Sequence, residues 1–112
     1  MKIVYNTFIP FRGFSVINLF GILFARKEYR GKINERILNH ESIHSVQMKE
    51  LVYVFFYLWY IIEWLVRLFL PGNAYRNISF EREAYQNERE SGYIQRRKFW
   101  NFLNYMKGGY SD

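Results

Sequence analysis

The sequence predicts a single α+β domain, mainly helical, over residues 1–112: a short N-terminal β-hairpin or small sheet over about 1–33, a long helix over 34–70, and C-terminal helices over 79–106 that pack back on it. Three observations predict it. β-branched and aromatic residues crowd the first third, no Pro or Gly interrupts residues 34–70, and the breaker PGN at 71–73 lets the chain reverse. With 112 residues, half of them hydrophobic, and eleven Phe, ten Tyr and three Trp, the chain has the size of one domain with a core dense in large rings.

The runs KIVYNTFI (2–9) and FSVINLFGILFAR (14–26) read as strand, and PFRG (10–13) supplies turn chemistry between them. Gly21 inside the second run marks a bulge or a close backbone approach. KEYRGK (27–32) is a polar break before a helical pattern that starts near Asn34, with Ile37, Leu38, Ser42 and Ile43 around two histidines. A second helix starts near Ser79, Gly92 punctuates it, and YIQRRKFWNFLNYM (93–106) forms a short terminal helix before a frayed tail, KGGYSD (107–112).

The stretch LVYVFFYLWYIIEWLVRLFL (51–70) has the length of a bilayer span, but Glu63 and Arg67 interrupt it in the favourable i,i+4 order for a helix pair. A membrane span, contact with a membrane surface, a buried core helix and a homodimer seam are the readings it allows. The formal charge of +6 is spread evenly, eight Lys/Arg in 1–50 and eight in 51–112, with RRK (96–98) the one run, which argues against a nucleic-acid partner. The start, MKIVYNTFIPFRG, lacks a signal-peptide pattern, so a cytoplasmic location is expected, with membrane association through 51–70 as the variant. With no cysteine, any metal site must be built from His, Asp, Glu and water.

Both histidines of the chain lie in NHESIHSVQ (39–47). Four residues apart on a helix, His40 and His44 present their imidazoles to a common point, as a divalent ion requires. Glu41 lies about 100° round the helix and flanks that point, where a carboxylate takes a proton from water. Gln47 returns to the same face, in reach of a ligand, a water or a substrate carbonyl. Two carboxylates compete as third ligand. Glu63 follows after an 18-residue spacing, but with a continuous helix it stands about 28 Å along the axis from His44 and is left to pair with Arg67. In SFEREAY, Glu81 and Tyr85 share a face while Glu83 points about 160° away. Glu81 is therefore the expected ligand with Glu83 as the rival, and Glu88, on the same face as Glu81, is expected nearer solvent.

HESIH is an HExxH motif. Followed by FEREAY, it resembles the gluzincin clan of zinc metallopeptidases, in which the two motif histidines and a glutamate on a later helix bind zinc. In several gluzincin families that helix reads E-x-x-A-D or E-x-x-x-D; Glu81 and Ala84 match the first form, and Tyr85 stands where the aspartate is expected. The small size and element order are similar to the minigluzincins. The resemblance implies Zn2+ held by His40, His44 and Glu81, with Glu41 as general base in hydrolysis of a peptide or protein substrate. It also implies an edge strand, for which LFGILFAR (19–26) is the candidate, that aligns the substrate. The Tyr85 departure removes the carboxylate that orients a ligand histidine. Tyr75, Tyr85, Tyr93 and Arg76 are candidates for a further proton donor or oxyanion stabiliser. Two other classes stay open: an inactive zinc-stabilised domain, and a membrane-associated interaction protein that works through helix 51–70.

Overall fold

The computed structural model describes residues 2–10, 12 and 14–107; two residues of the expected PFRG turn, Phe11 and Gly13, and all of the expected tail but Lys107 lie outside them. Three strands, β1 (Ile3–Asn6), β2 (Val16–Leu19) and β3 (Ile22–Arg26), precede four helices: α1 (Glu35–Glu50), α2 (Val54–Arg67), α3 (Ser79–Asn87) and the short α4 (Tyr93–Arg96), with 3-10 turns at Lys27–Tyr29 and Asn101–Tyr105.

The second apolar run is not one strand but a hairpin. Phe20 and Gly21 sit at φ 54° and 89°, the two positive values that a two-residue turn between twisted antiparallel strands needs. Gly21 therefore makes a turn rather than a bulge. β1 joins β3 in parallel, giving the order β1-β3-β2, so β3 is central. LFGILFAR thus cannot be a substrate-aligning edge strand: it contains the turn, and both edges of β3 are paired. The edge facing the helical layer belongs to β2, where the Asn18 amide donates to the Glu41 carbonyl at 2.9 Å and the Ser45 hydroxyl at 3.0 Å.

Asn34 caps α1, its side chain accepting from the Ile37 N–H at 2.9 Å. The expected continuous helix over 34–70 is broken after Glu50. Val52 (φ 52°) and Tyr53 (φ 57°) turn left-handed, the Val52 N–H reaching the Lys49 carbonyl at 3.3 Å and the Tyr53 N–H the Met48 carbonyl at 2.7 Å. This is the Schellman termination, made without the glycine that usually announces it. What holds a valine there is packing: the bend puts Met48, Leu51 and Phe56 into one buried cluster with Ile78, Phe80 and Phe102. Phe80 lies at its centre, with ring centroids 4.5 Å from Phe56 and 4.6 Å from Phe102. A second small cluster, Ile43, Ala84 and Tyr93, seats α3 and α4 on α1.

The 51–70 segment is not a fully wrapped core helix. α2 buries Phe56, Glu63 and Arg67 and exposes most of its aliphatic residues. Among the described residues no helix is long and apolar enough to cross a membrane. The expected terminal helix is also shorter, because the chain leaves helical backbone at Arg97. The Arg97 guanidinium turns inward to Glu50 (2.7 and 2.9 Å) and Glu83 (2.5 and 3.0 Å), and the Trp100 N–H binds Glu50 at 2.7 Å.

Glu63 has a task the spacing argument did not foresee. Its carboxylate accepts from the Ser79 N–H at 2.9 Å, from the Ser79 hydroxyl and from the Trp59 indole at 2.9 Å, capping α3 where its backbone N–H groups have no helical partner. Glu63→Ala is expected to lower stability by about 2–3 kcal/mol, through unpaired buried donors, in urea titration. Metal content should be unchanged; loss of metal would return Glu63 to the ligand set.

Candidate metal centre

α1 and α3 pack side by side and bring three acceptor atoms together. His40 Nε2 lies 3.1 Å from His44 Nε2 and 3.2 Å from Glu81 Oε1, and His44 Nε2 lies 3.0 Å from the same oxygen. All three residues are buried and together could hold a metal ion. A tetrahedral ion with arms of 2.0–2.1 Å has ligand–ligand edges of about 3.3 Å, close to these separations.

Each of the three residues is fixed from behind. His40 Nδ1 donates to Glu88 Oε1 at 2.8 Å, and Glu88 Oε2 is held by Arg36 at 2.9 Å. His44 Nδ1 donates to Gln47 Oε1 at 2.8 Å. The Gln47 amide is itself oriented by two acceptors, the Glu83 carboxylate at 2.8 Å and the Phe80 carbonyl at 3.2 Å. With both Nδ1 atoms spent as donors, a neutral imidazole must turn an Nε2 lone pair to the centre, the tautomer metal ligation uses. The Tyr60 hydroxyl donates to the remaining Glu81 oxygen at 2.7 Å. Burial, then the Glu81 charge, raises the Tyr60 pKa, so the phenol remains a donor.

Three acceptors facing one another in a buried site repel unless a positive charge stands among them. Burial opposes a charged His44, yet the Glu81 carboxylate outweighs it and pushes His44 up to about 9. Burial likewise works to raise Glu81, but His44 and His40 hold it well below the usual carboxylate range. Without metal, a proton is the cation the site keeps.

Glu41 flanks this centre. Its carboxylate makes no hydrogen bond or ion pair among the described residues, and its pKa is raised, chiefly by burial, against the opposing pull of His44 and His40. Tyr85 packs its ring edge against His40, centroids 4.5 Å apart, and its hydroxyl meets Tyr75 at 2.9 Å, so it does not stand in for the orienting carboxylate. Arg76 lies 4.0 Å over the Tyr85 ring. Glu83 is buried one step behind the centre, accepting from Gln47, Arg97 and the Tyr93 hydroxyl; it is not one of the three converging residues, and the same bond takes Tyr93 away from the centre.

Sequence reasoning missed two residues here. Glu88, expected nearer solvent, is buried and holds His40 Nδ1; its position seven residues after Glu81 was the available signal. Tyr60 gave no signal, because in a continuous helix it stands about 24 Å beyond His44. No protein-family model, curated protein or solved structure matches this chain.

Elemental analysis after loading with zinc should give one ion per chain for wild type and for Glu83→Ala, and none for Glu81→Ala. Glu88→Ala should keep the stoichiometry and lose about 10–100-fold in affinity by competition with a chelating dye. A second expectation concerns pH. The stability that His44 draws from its raised pKa is fully present below its ordinary 6.5 and is lost as pH climbs through about 9. Glu81, being depressed, contributes above its ordinary 4.5 and loses that contribution as pH falls. In chelator, the melting temperature should therefore be highest between pH 4.5 and 6.5 as far as this pair decides it, and fall toward pH 9. Zinc should abolish the alkaline part of that fall, since it replaces the proton.

Proposed function

We propose that this chain is a small zinc-dependent peptidase. The observation that carries the reading is the pairing of a three-ligand buried centre with an unengaged carboxylate, Glu41, on the same helix. Three protein ligands leave a further coordination position, the pattern of a catalytic rather than a closed structural site. His40, His44 and Glu81 would hold the ion, which when bound supplies Lewis acidity toward water and a peptide carbonyl.

The chain's own residues then supply positioning and proton transfer. Glu41 accepts a proton from the attacking water as the new C–O bond forms. It returns that proton to the amide nitrogen as the C–N bond breaks, leaving a carboxylic acid and an amine. A carboxylate lifted by burial is better matched to both steps than an ordinary exposed one. Glu88 and Gln47 keep the two imidazoles in place while charge develops, and Tyr60 fixes Glu81. β2 is the edge strand nearest α1, tied to it through Asn18, and an extended peptide that adds there as a further strand beside Glu41 would take the place of the Tyr57 hydroxyl on the Asn18 carbonyl.

The alternative, a zinc-stabilised domain without turnover, uses the same ligands to join α1 to α3. Glu41→Gln separates the two. The peptidase reading expects full zinc content and a fall of about 10²–10⁴-fold in hydrolysis of a mixed peptide library, followed by mass spectrometry. Undiminished cleavage in the variant removes Glu41 from the role of base. A zinc-loaded wild type that cuts nothing leaves the structural alternative.

A further inference from the structure

α2 is built the wrong way round for a helix that faces water. Its two charged residues, Glu63 and Arg67, are buried, and its apolar residues point out. At 100° per residue, Ile61, Leu65, Leu58, Ile62, Phe55 and Val66 fill an arc of about 140° that no polar side chain interrupts. Each of these six is between 47% and 60% exposed. Residues with an apolar body and a polar tip, Trp59 on one side and Tyr57 and Trp64 on the other, border the arc. The apolar surface also runs past both ends of the helix. Phe20 at the hairpin tip, 59% exposed, lies 5.2 Å from the Tyr57 ring, and Phe69 beyond the C-terminus is 90% exposed. A continuous surface of this kind marks an interaction site.

Two observations decide what covers it. Fourteen residues of helix extend about 21 Å, short of the roughly 30 Å hydrocarbon core of a bilayer, so α2 can lie in a membrane but not cross it. The second is charge. Among the described residues, twelve Lys and Arg are exposed against three glutamates, Glu28, Glu35 and Glu90, because most of the remaining acids are spent inside on Arg97, Ser79, the histidines and Gln47. A second copy would carry the same overall excess of positive charge, which opposes association. An anionic lipid surface answers both the apolar arc and the chain's overall positive charge. One such cation, Lys107, stands on the rim of an apolar groove of about 760 Å³ that Phe55, Leu58, Ile62 and Val66 line.

We propose that α2 is an interfacial helix that seats this chain on a bilayer containing anionic lipids, with the arc from Ile61 to Val66 in the acyl boundary and Lys107 at the headgroups. The inference stands independently of the hydrolytic reading.

The test is flotation of the full chain with vesicles of phosphatidylcholine containing about 30 mol % phosphatidylglycerol, against phosphatidylcholine alone, with tryptophan emission recorded in parallel. Binding about tenfold or more stronger to the anionic vesicles, weakened by salt and accompanied by a blue shift, is expected. Leu58→Glu with Ile62→Glu should lower it about tenfold or more while circular dichroism and zinc content stay those of wild type. Absence of binding to anionic vesicles, or binding that the double substitution leaves intact, overturns the proposal. So does a lipid-free dimer by analytical ultracentrifugation that the double substitution splits, since the face then belongs to a second copy. Should the double variant not fold, quenching of wild-type tryptophan by brominated acyl chains decides: quenching supports the seat in the bilayer, and its absence overturns it.

Discussion

Two imidazole nitrogens and a carboxylate oxygen, all acceptors, lie within 3.2 Å of one another where little water reaches, and this crowding constrains much of the molecule. Such a cluster costs several kcal/mol unless a cation fills it and every remaining polar atom has a partner. The surrounding helices meet that condition. Arg36 holds Glu88, which holds His40; Glu83 and a backbone carbonyl hold Gln47, which holds His44; Tyr60 takes the oxygen of Glu81 that faces away. The partners come from three helices, so the centre and the packing of α1, α2 and α3 are one problem with one solution.

The same pattern explains where the acids of this basic chain went. Glu50 and Glu83 share Arg97, Glu63 caps α3, and Glu81 and Glu88 serve the histidines. Carboxylates are assigned to inward tasks and cations are left outside. The surface is therefore more basic than the composition alone conveys.

How much of this was legible depended on whether the cause was local. The HExxH spacing, the reversal at PGN and the helix from Ser79 are written in short-range chemistry, and from them the convergence of His40, His44 and Glu81 could be anticipated. The hairpin at Phe20–Gly21 was half legible: Gly21 was singled out, but a phenylalanine at φ 54° is not a residue that announces a turn. The break at Val52 was illegible, because a β-branched residue at positive φ is held by the tertiary packing of Leu51 and Phe56 and not by its own preference. What depended on that break was lost with it, above all the approach of Tyr60 to Glu81. The outward apolar face of α2 was hidden for a related reason: a run that is nearly all apolar carries no phase, and only the partners of Glu63 could reveal which side was in.

The bend at Val52–Tyr53 gives α2 two opposed duties. One side ends in the Tyr60 phenol, which rests on Glu81; the other is the bare arc of Ile61, Leu58 and Phe55. A single helix separates them, so the bend that bares the arc is the same bend that brings the phenol to the centre.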